Sequence, residues 1–218
     1  MKKFDARKIS ILAMLSAISF VMVLVGKLIP DVAGFLSYDP KDAIVVISGF
    51  MFGPLTSVII SVIVSVIEMI SISGTGIYGM IMNVFSTCSF AVPAALIYKK
   101  MRTMNGAVLG LLTGVCFMTG CMVLWNYIIT PYYMRVDRSV VTGMLLTTFL
   151  PFNLVKGGIN MGLTMLLYKP IITALRKVRL LPESHATSKK SAQIAFTVAA
   201  VFVLVTVVIL FLLFSKVL

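Results

Sequence analysis

Apolar residues in this chain fall into long runs separated by short polar stretches, and the runs have the length of membrane-crossing helices. The first extends from Ile9 to about Val25. Lys2, Lys3, Arg7 and Lys8 precede it, but it is longer than a typical signal-peptide core and no small-residue cleavage site follows, so a retained span is expected. Lys27 to Ser37 reads as a loop. Tyr38-Asp39-Pro40-Lys41-Asp42 then reads as a helix start, with Asp39 at the N-cap, Pro40 at the first helical position and Asp42 in the first turn, where the helix dipole favours an anion. For Asp42 capping is the preferred role. This second helix is short and ends at Gly53-Pro54, where a third opens at Leu55 and carries Ser57, Ser61, Ser65 and Glu68 on one face.

After a small uncharged loop from Ser71 to Gly76, a fourth helix runs from about Ile77 to Tyr98 and contains Asn83. Lys99, Lys100 and Arg102 close it. The fifth runs from about Gly106 to Ile129, with Trp125-Asn126-Tyr127 near its end and Pro131, Tyr132 and Tyr133 beyond, an aromatic cluster of the kind found at membrane interfaces. Met134 to Leu146 reads as the longest loop and its margin. A sixth apolar segment follows to Tyr168, then a basic polar linker from Lys169 to Ser191, then a seventh apolar run from Ala192 to Phe214. The pattern is that of an all-α membrane protein.

Composition agrees. Of 218 residues 60% are hydrophobic and 12% charged, against roughly 25% charged in soluble domains. The net charge of +12 could indicate a nucleic-acid partner, but the basic residues are scattered between apolar runs without interleaved aromatics, so no nucleic acid is expected. They follow topology instead. With alternating helices, the four cations of the amino terminus, the three in residues 99–102 and the six from Lys169 to Lys190 share one side. Lys27, Lys41, Arg135, Arg138 and Lys216 lie on the other, and Lys156 lies within the membrane. The positive-inside rule then places the amino terminus in the cytoplasm of a multi-pass protein.

The stretch Pro151-Phe152-Asn153-Leu154-Val155-Lys156-Gly157-Gly158-Ile159-Asn160 puts two amides and an ammonium at helical spacing on one face of the sixth segment. A lysine in hydrocarbon costs about 2.5 to 3.5 kcal/mol on insertion scales, so this face is expected to look onto a cavity or partner. The assigned orientation brings Asn83, Asn126, Asn153, Lys156, Asn160 and Glu68 into the outer half of the membrane. That arrangement describes a pocket open to the outside, suited to a flat amide-bearing ring or a polyol. Lys156 pairing with Glu68 is one expectation for the empty pocket. Elsewhere Ala13 and Ala17, extended by Ser10 and Ala6, form a strip of small residues that admits close helix approach, by a partner or within the bundle.

Enzyme signatures are missing: there is no P-loop, HExxH or GxSxG motif, and the single histidine, His185, falls in the linker. Cys88, Cys116 and Cys121 have no metal-ligand spacing and read as core packing. No catalytic or metal-ligating residue is expected. A channel would need a polar path across the membrane, and an ion-driven carrier would more typically show an internal repeat. A solute-binding membrane protein energised by other subunits and a non-transport scaffold both fit the residues.

Five motifs in order carry a resemblance. They are Leu36-Ser37-Tyr38-Asp39-Pro40-Lys41-Asp42, Gly49-Phe50-Met51-Phe52-Gly53-Pro54, Val92-Pro93-Ala94-Ala95-Leu96-Ile97-Tyr98-Lys99, Trp125-Asn126-Tyr127 and Pro151-Phe152-Asn153-Leu154-Val155-Lys156-Gly157. From about Ile9 to Tyr168 the chain resembles the riboflavin-binding S components of bacterial energy-coupling factor (ECF) transporters. The resemblance implies a six-helix bundle with riboflavin as transported substrate rather than cofactor, contacted by Asn126, Asn153 and Lys156. It also implies that Ala13 and Ala17 dock on an ECF module made of a transmembrane coupling subunit and two ATP-binding subunits in the bacterial cell membrane. The candidate substrate-binding set is Asn126, Asn153, Lys156, Asn83, Asn160, Glu68, Tyr38 and Asp39. An S component for another vitamin or a flavin derivative is the nearest alternative. The expected organisation is a six-helix domain over residues 1–169, a cytoplasmic linker over 170–191 and an additional transmembrane helix over 192–215. This last departs from S components that end after the sixth helix.

Overall fold

The computed structural model describes residues 6–29, 31, 36–180, 194, 197–199, 201–203, 205–206 and 209. Its helices are α1 (Ala6–Gly26), α2 (Lys41–Phe52), α3 (Pro54–Ser71), α4 (Gly76–Met101), α5 (Met104–Met134), α6 (Arg138–Met144) and α7 (Leu150–Lys177). A π-helical turn, Leu145–Phe149, joins α6 to α7. Counting α6, the π turn and α7 as one continuous unit, these are the six helical units expected. Among the described residues, five stretches are long and apolar enough to cross a membrane. The first part of the basic linker, to Leu180, is described and continues α7 as far as Lys177; the rest of it, including His185, and both ends of the seventh apolar run lie outside the described residues.

Helix α2 is the hub. Every residue from Lys41 to Gly49 is buried, and α2 touches α1, α3, α4 and α7. A helix apolar around most of its circumference belongs inside a bundle. Twelve residues extend about 18 Å, too little to span alone. It ends at Gly53, whose φ of 99° suits glycine, and Pro54 opens α3 where no donor is needed. The outer helices turn apolar side chains away from the bundle: Val21 and Leu24 on α1, Ile63 and Ile67 on α3, Phe117 and Leu124 on α5 are all exposed. Such a surface requires lipid as its solvent.

Helices α4 and α5 pack most closely. A Cβ at Gly110 would stand 2.7 Å from the Ala94 carbonyl oxygen, and one at Gly114 2.5 Å from that of Phe90. Backbones can come this near only where side chains are missing.

Three helix boundaries differ from expectation. Helix α5 continues through Pro131 to Met134, and α7 passes Pro170 to reach Lys177. Neighbouring helices and local adjustment satisfy the backbone groups that proline frees within a membrane bundle, so proline does not end a span there. The loop expected between Met134 and Leu146 shrinks to Arg135–Asp137. Arg135 takes a left-handed conformation, with φ of 54°, that stops α5. Asp137 is extended ahead of α6, and the Arg138 guanidinium sits 5.2 Å from the Tyr127 ring centre, holding α6 back against α5.

Candidate functional site

The carboxy-terminal ends of α1, α3 and α5 meet the amino-terminal ends of α4 and α7 at one end of the bundle, around a cavity. Lys27, Leu36, Ser37, Glu68, Tyr78, Asn83, Ser86, Trp125, Asn126, Phe152, Asn153 and Lys156 are among its lining residues. The cavity encloses about 80 Å³. Sites for drug-sized ligands run about 300 to 1,000 Å³, so a ligand of that size enters only if the walls part.

Local sequence explains how α7 presents its polar groups. Pro151 lies in its first turn and cannot donate a backbone hydrogen bond, and the chain just before it takes the wider π turn. Asn153 Nδ2 donates to the Phe149 carbonyl at 2.8 Å. Across the cavity, Asn126 Nδ2 donates to the Met122 carbonyl at 2.8 Å, and its Oδ1 accepts from Thr130 Oγ1 at 2.9 Å. Trp125 stacks on Phe85 with ring centres 4.9 Å apart, and Phe152 lies on the α7 side. Ser86 Oγ, at the lining, is buried without a hydrogen-bond partner among the described residues.

Partly in this lining, through Lys27, Glu68 and Lys156, and partly behind it lies an ionic cluster that spacing does not foretell. Lys41 Nζ donates to Glu68 Oε2 at 2.8 Å and lies 3.6 Å from Asp39 Oδ2. Lys27 Nζ reaches Glu68 Oε1 at 3.7 Å. Lys156 Nζ stands 3.5 Å from Asp39 Oδ2 and 3.8 Å from Asp42 Oδ2. Three lysines thus face three acids, and the group is formally neutral. Burial pushes the Asp39 carboxyl upward, but the charges of Lys41, Lys156 and Lys27 outweigh it and hold Asp39 below its ordinary value of 3.8.

The sequence-derived candidates separate into two layers. Asn126, Asn153, Lys156, Asn83 and Glu68 line the cavity. Tyr38, Asp39 and Asn160 do not line it; they stand behind. Tyr38 Oη donates to Asn160 Oδ1 at 3.2 Å, and Asn160 Nδ2 donates to the Asp39 carbonyl at 3.0 Å and to Asp42 Oδ2 at 3.5 Å. Burial, with the Asp42 and Asp39 charges, raises the Tyr38 hydroxyl well above its usual range, keeping it a donor.

The N-cap reading of Asp39 is corrected, while Asp42 does lie in the first turn of α2 with its side chain turned to other partners. Pro40 occupies the N-cap of α2, with no side-chain cap bond. Asp39 turns instead to the lysines. Asp42 Oδ1 accepts from Thr87 Oγ1 at 2.6 Å while Oδ2 faces Lys156 and Asn160. The Lys156–Glu68 pairing is replaced by Lys156 with Asp39 and Asp42, because Lys41 and Asn83 take Glu68 Oε2, Asn83 Nδ2 at 3.0 Å. Sequence reasoning missed Lys41 and Ser86, and gave Asp42, Trp125 and Phe152 no site role. The one available signal was Lys41 between two acids, at the start of a short helix that is apolar over most of its length.

Ala6, Ser10, Ala13 and Ala17 are all exposed on α1. The small strip is therefore not used for packing within the described bundle.

Residues 7–168 match the family described as "ECF transporter, substrate-specific component". The chain is 29% identical over 161 residues to "Riboflavin transporter FmnP" of Bacillus subtilis (strain 168), covering 69% of this chain and 84% of that protein. It is 25% identical over 178 residues to "Riboflavin transporter RibU" of Staphylococcus aureus (strain TCH60), covering 79% and 94%. A solved structure described as "Structure and mechanism of the S component of a bacterial ECF transporter" superposes with a TM-score of 0.67. Its identity is 26%, over 80% of this chain and 99% of that one. Such proteins are the substrate-binding parts of transporters and not enzymes. With a match covering most of its length and helices built to cross a membrane, this chain belongs to the family of ECF transporter substrate-specific components.

Proposed function

We propose that this chain captures riboflavin from the outer face of a bacterial cell membrane and passes it to an ECF module that drives uptake. The observation that carries the reading is the convergence of Asn126, Asn153 and Lys156 on one aromatic-walled cavity. The flavin ring system is flat and uncharged, with carbonyl and N–H groups along one edge, and carboxamides match both kinds of group. Trp125 and Phe152 offer faces for stacking. Glu68, Asn83, Ser86 and Ser37 supply acceptors and donors for the hydroxyls of the ribityl chain. A formally neutral charge cluster at and behind the lining suits a neutral solute better than an ionic one. The relatives named riboflavin transporters support the same choice over another vitamin.

The narrow cavity implies that Tyr78, Trp125 and Phe152 move apart as the ring enters. Orientation follows from the basic residues: Arg7, Lys8, Lys99, Lys100, Arg102, Arg176 and Lys177 gather at the end away from the cavity, which supports a cytoplasmic amino terminus. The exposed Ala13 and Ala17 are the proposed docking surface for the transmembrane coupling subunit, which acts with two ATP-binding subunits.

Equilibrium titration of flavin-free purified protein tests the substrate. Saturable riboflavin binding with little competition from thiamine, biotin or folate is expected. Folded protein that fails to bind riboflavin, or prefers another vitamin, overturns the reading. Replacing Ala13 and Ala17 together by Trp tests the docking surface: uptake in cells containing the ECF module should disappear while binding by the isolated chain persists.

A further inference from the structure

The family match ends at residue 168, yet described residues from Ile194 to Ile209 are helical. Their burial follows a helical period. Ala199 and Thr206 are buried and Val198, Phe202 and Val203 partly so, whereas Ile194, Thr197, Val201, Val205 and Ile209 are exposed. The covered face lies on α7, over Gly158 and Gly162. A Cβ at Gly158 would stand 2.9 Å from Phe202 Cε1 and 3.1 Å from Thr206 Oγ1. One at Gly162 would stand 3.2 Å from Val203 Cγ2 and 3.6 Å from the Ala199 carbonyl oxygen. Thr206 Oγ1 donates to the Phe202 carbonyl within its own helix, at 2.7 Å, so this contact is made by shape.

The position on α7 gives the contact a consequence. Each residue turns a helix by about 100°, so Gly158 lies on the side of α7 roughly opposite Lys156. Gly157 faces α5, where its Cβ would meet Val115 Cγ1 at 2.9 Å and Met118 Cε at 3.1 Å. The turn that carries Lys156 is therefore seated against α5 on one flank and against the carboxy-terminal helix behind. Helices in lipid associate by packing rather than by hydrophobic drive, and a glycine groove filled by an aromatic ring is a close fit of that kind.

We propose that the carboxy-terminal helix is a positioning element of the substrate site: Phe202 and Thr206, seated on Gly158, fix the rotation of α7 that presents Asn153 and Lys156 to the cavity. The proposal rests on the riboflavin reading for its ligand, and its packing can be tested without that ligand.

The test uses the full chain in detergent. In a background with Cys88, Cys116 and Cys121 replaced by Ser, Gly162→Cys with Val203→Cys should form a disulfide on oxidation with copper phenanthroline. The same treatment of Gly162→Cys with Val201→Cys, whose second position is exposed, should not cross-link within the chain. Absence of the first cross-link overturns the proposal whatever the substrate. Gly158→Leu should weaken riboflavin binding about tenfold, the scale of one or two disturbed hydrogen bonds, mainly through faster dissociation. Adding Phe202→Ala, which opens room for the new side chain, should restore most of the affinity. Phe202→Ala alone covers the case in which Gly158→Leu does not fold: it should weaken binding several-fold while the melting temperature without ligand changes little. Unchanged affinity in Gly158→Leu or Phe202→Ala, or no recovery in the double variant, overturns the positioning role. Failure of the unaltered chain to bind riboflavin overturns only the substrate reading, since the cross-link does not depend on it.

Discussion

Two asparagines on one helix face show how the site divides its work. Asn160 uses its amide on Tyr38, the Asp39 carbonyl and Asp42, and nothing of it reaches the cavity. Asn153, two turns earlier, is bonded through Nδ2 to its own helix at Phe149 and lines the cavity. A carboxamide offers two donors and a carbonyl with two lone pairs, so Asn153 keeps capacity that Asn160 has used. The same division holds among the lysines. Lys41 is fully buried with a 2.8 Å bond to Glu68, whereas Lys156 has two carboxylates at 3.5 and 3.8 Å and borders the cavity. Lys41 and Asn160, whose polar groups are taken up, hold α2, α3 and α7 together; Asn153 and Lys156 keep capacity at the cavity wall.

Removing a member of the rear layer should act on stability. Lys41→Met leaves Glu68 and Asp39 short of a counter-charge and should cost about 3 to 5 kcal/mol, the usual loss when one partner of a buried pair is removed. Thermal unfolding in detergent measures it, and adding Glu68→Gln should return part of the loss. A near-normal melting temperature for Lys41→Met would erase the distinction between layers.

In the front layer the effect should move to affinity. Lys156→Met should weaken riboflavin binding by roughly ten- to a hundredfold, the worth of a hydrogen bond from a charged donor. Asn153→Ala should weaken it several-fold to about tenfold, as for a neutral hydrogen bond, with a smaller change in melting temperature than Lys41→Met.

The smallest effect is one of pH. The Asp39 carboxyl is held below its ordinary value of 3.8 by lysine charges that outweigh burial. Its contribution to stability is therefore complete above pH 3.8 and is lost as pH falls through the depressed value. Asp39→Asn should remove that acid-side loss and lower stability at neutral pH. A variant whose stability falls with acid as steeply as the parent's would show that the loss comes from other groups.

Much of the fold was legible because lipid imposes it. Runs such as Ile9 to Val25 declare a span, and Gly53-Pro54 marks a turn that only a glycine and a helix-opening proline produce together. The boundaries at Pro131 and Pro170 were not legible, since proline ends a helix in water more reliably than in a packed membrane bundle. In the site, Asn126, Asn153 and Lys156 stood out because amides and ammonium are costly in hydrocarbon. The ionic cluster did not. Lys41 meets Glu68 across 27 residues and Asp42 meets Asn160 across 118, and no local period encodes those pairings. Asp42 read as a cap because its place in the first turn satisfies that rule equally well.

The most direct test of the division pairs Lys156→Met with Asp42→Asn. If Lys156 meets the flavin, the double variant should regain stability lost through the unbalanced Asp42 carboxylate while riboflavin affinity stays reduced by about tenfold or more. Recovery of full affinity in the double variant would contradict the account, because Lys156 would then serve only to neutralise the acids behind the cavity.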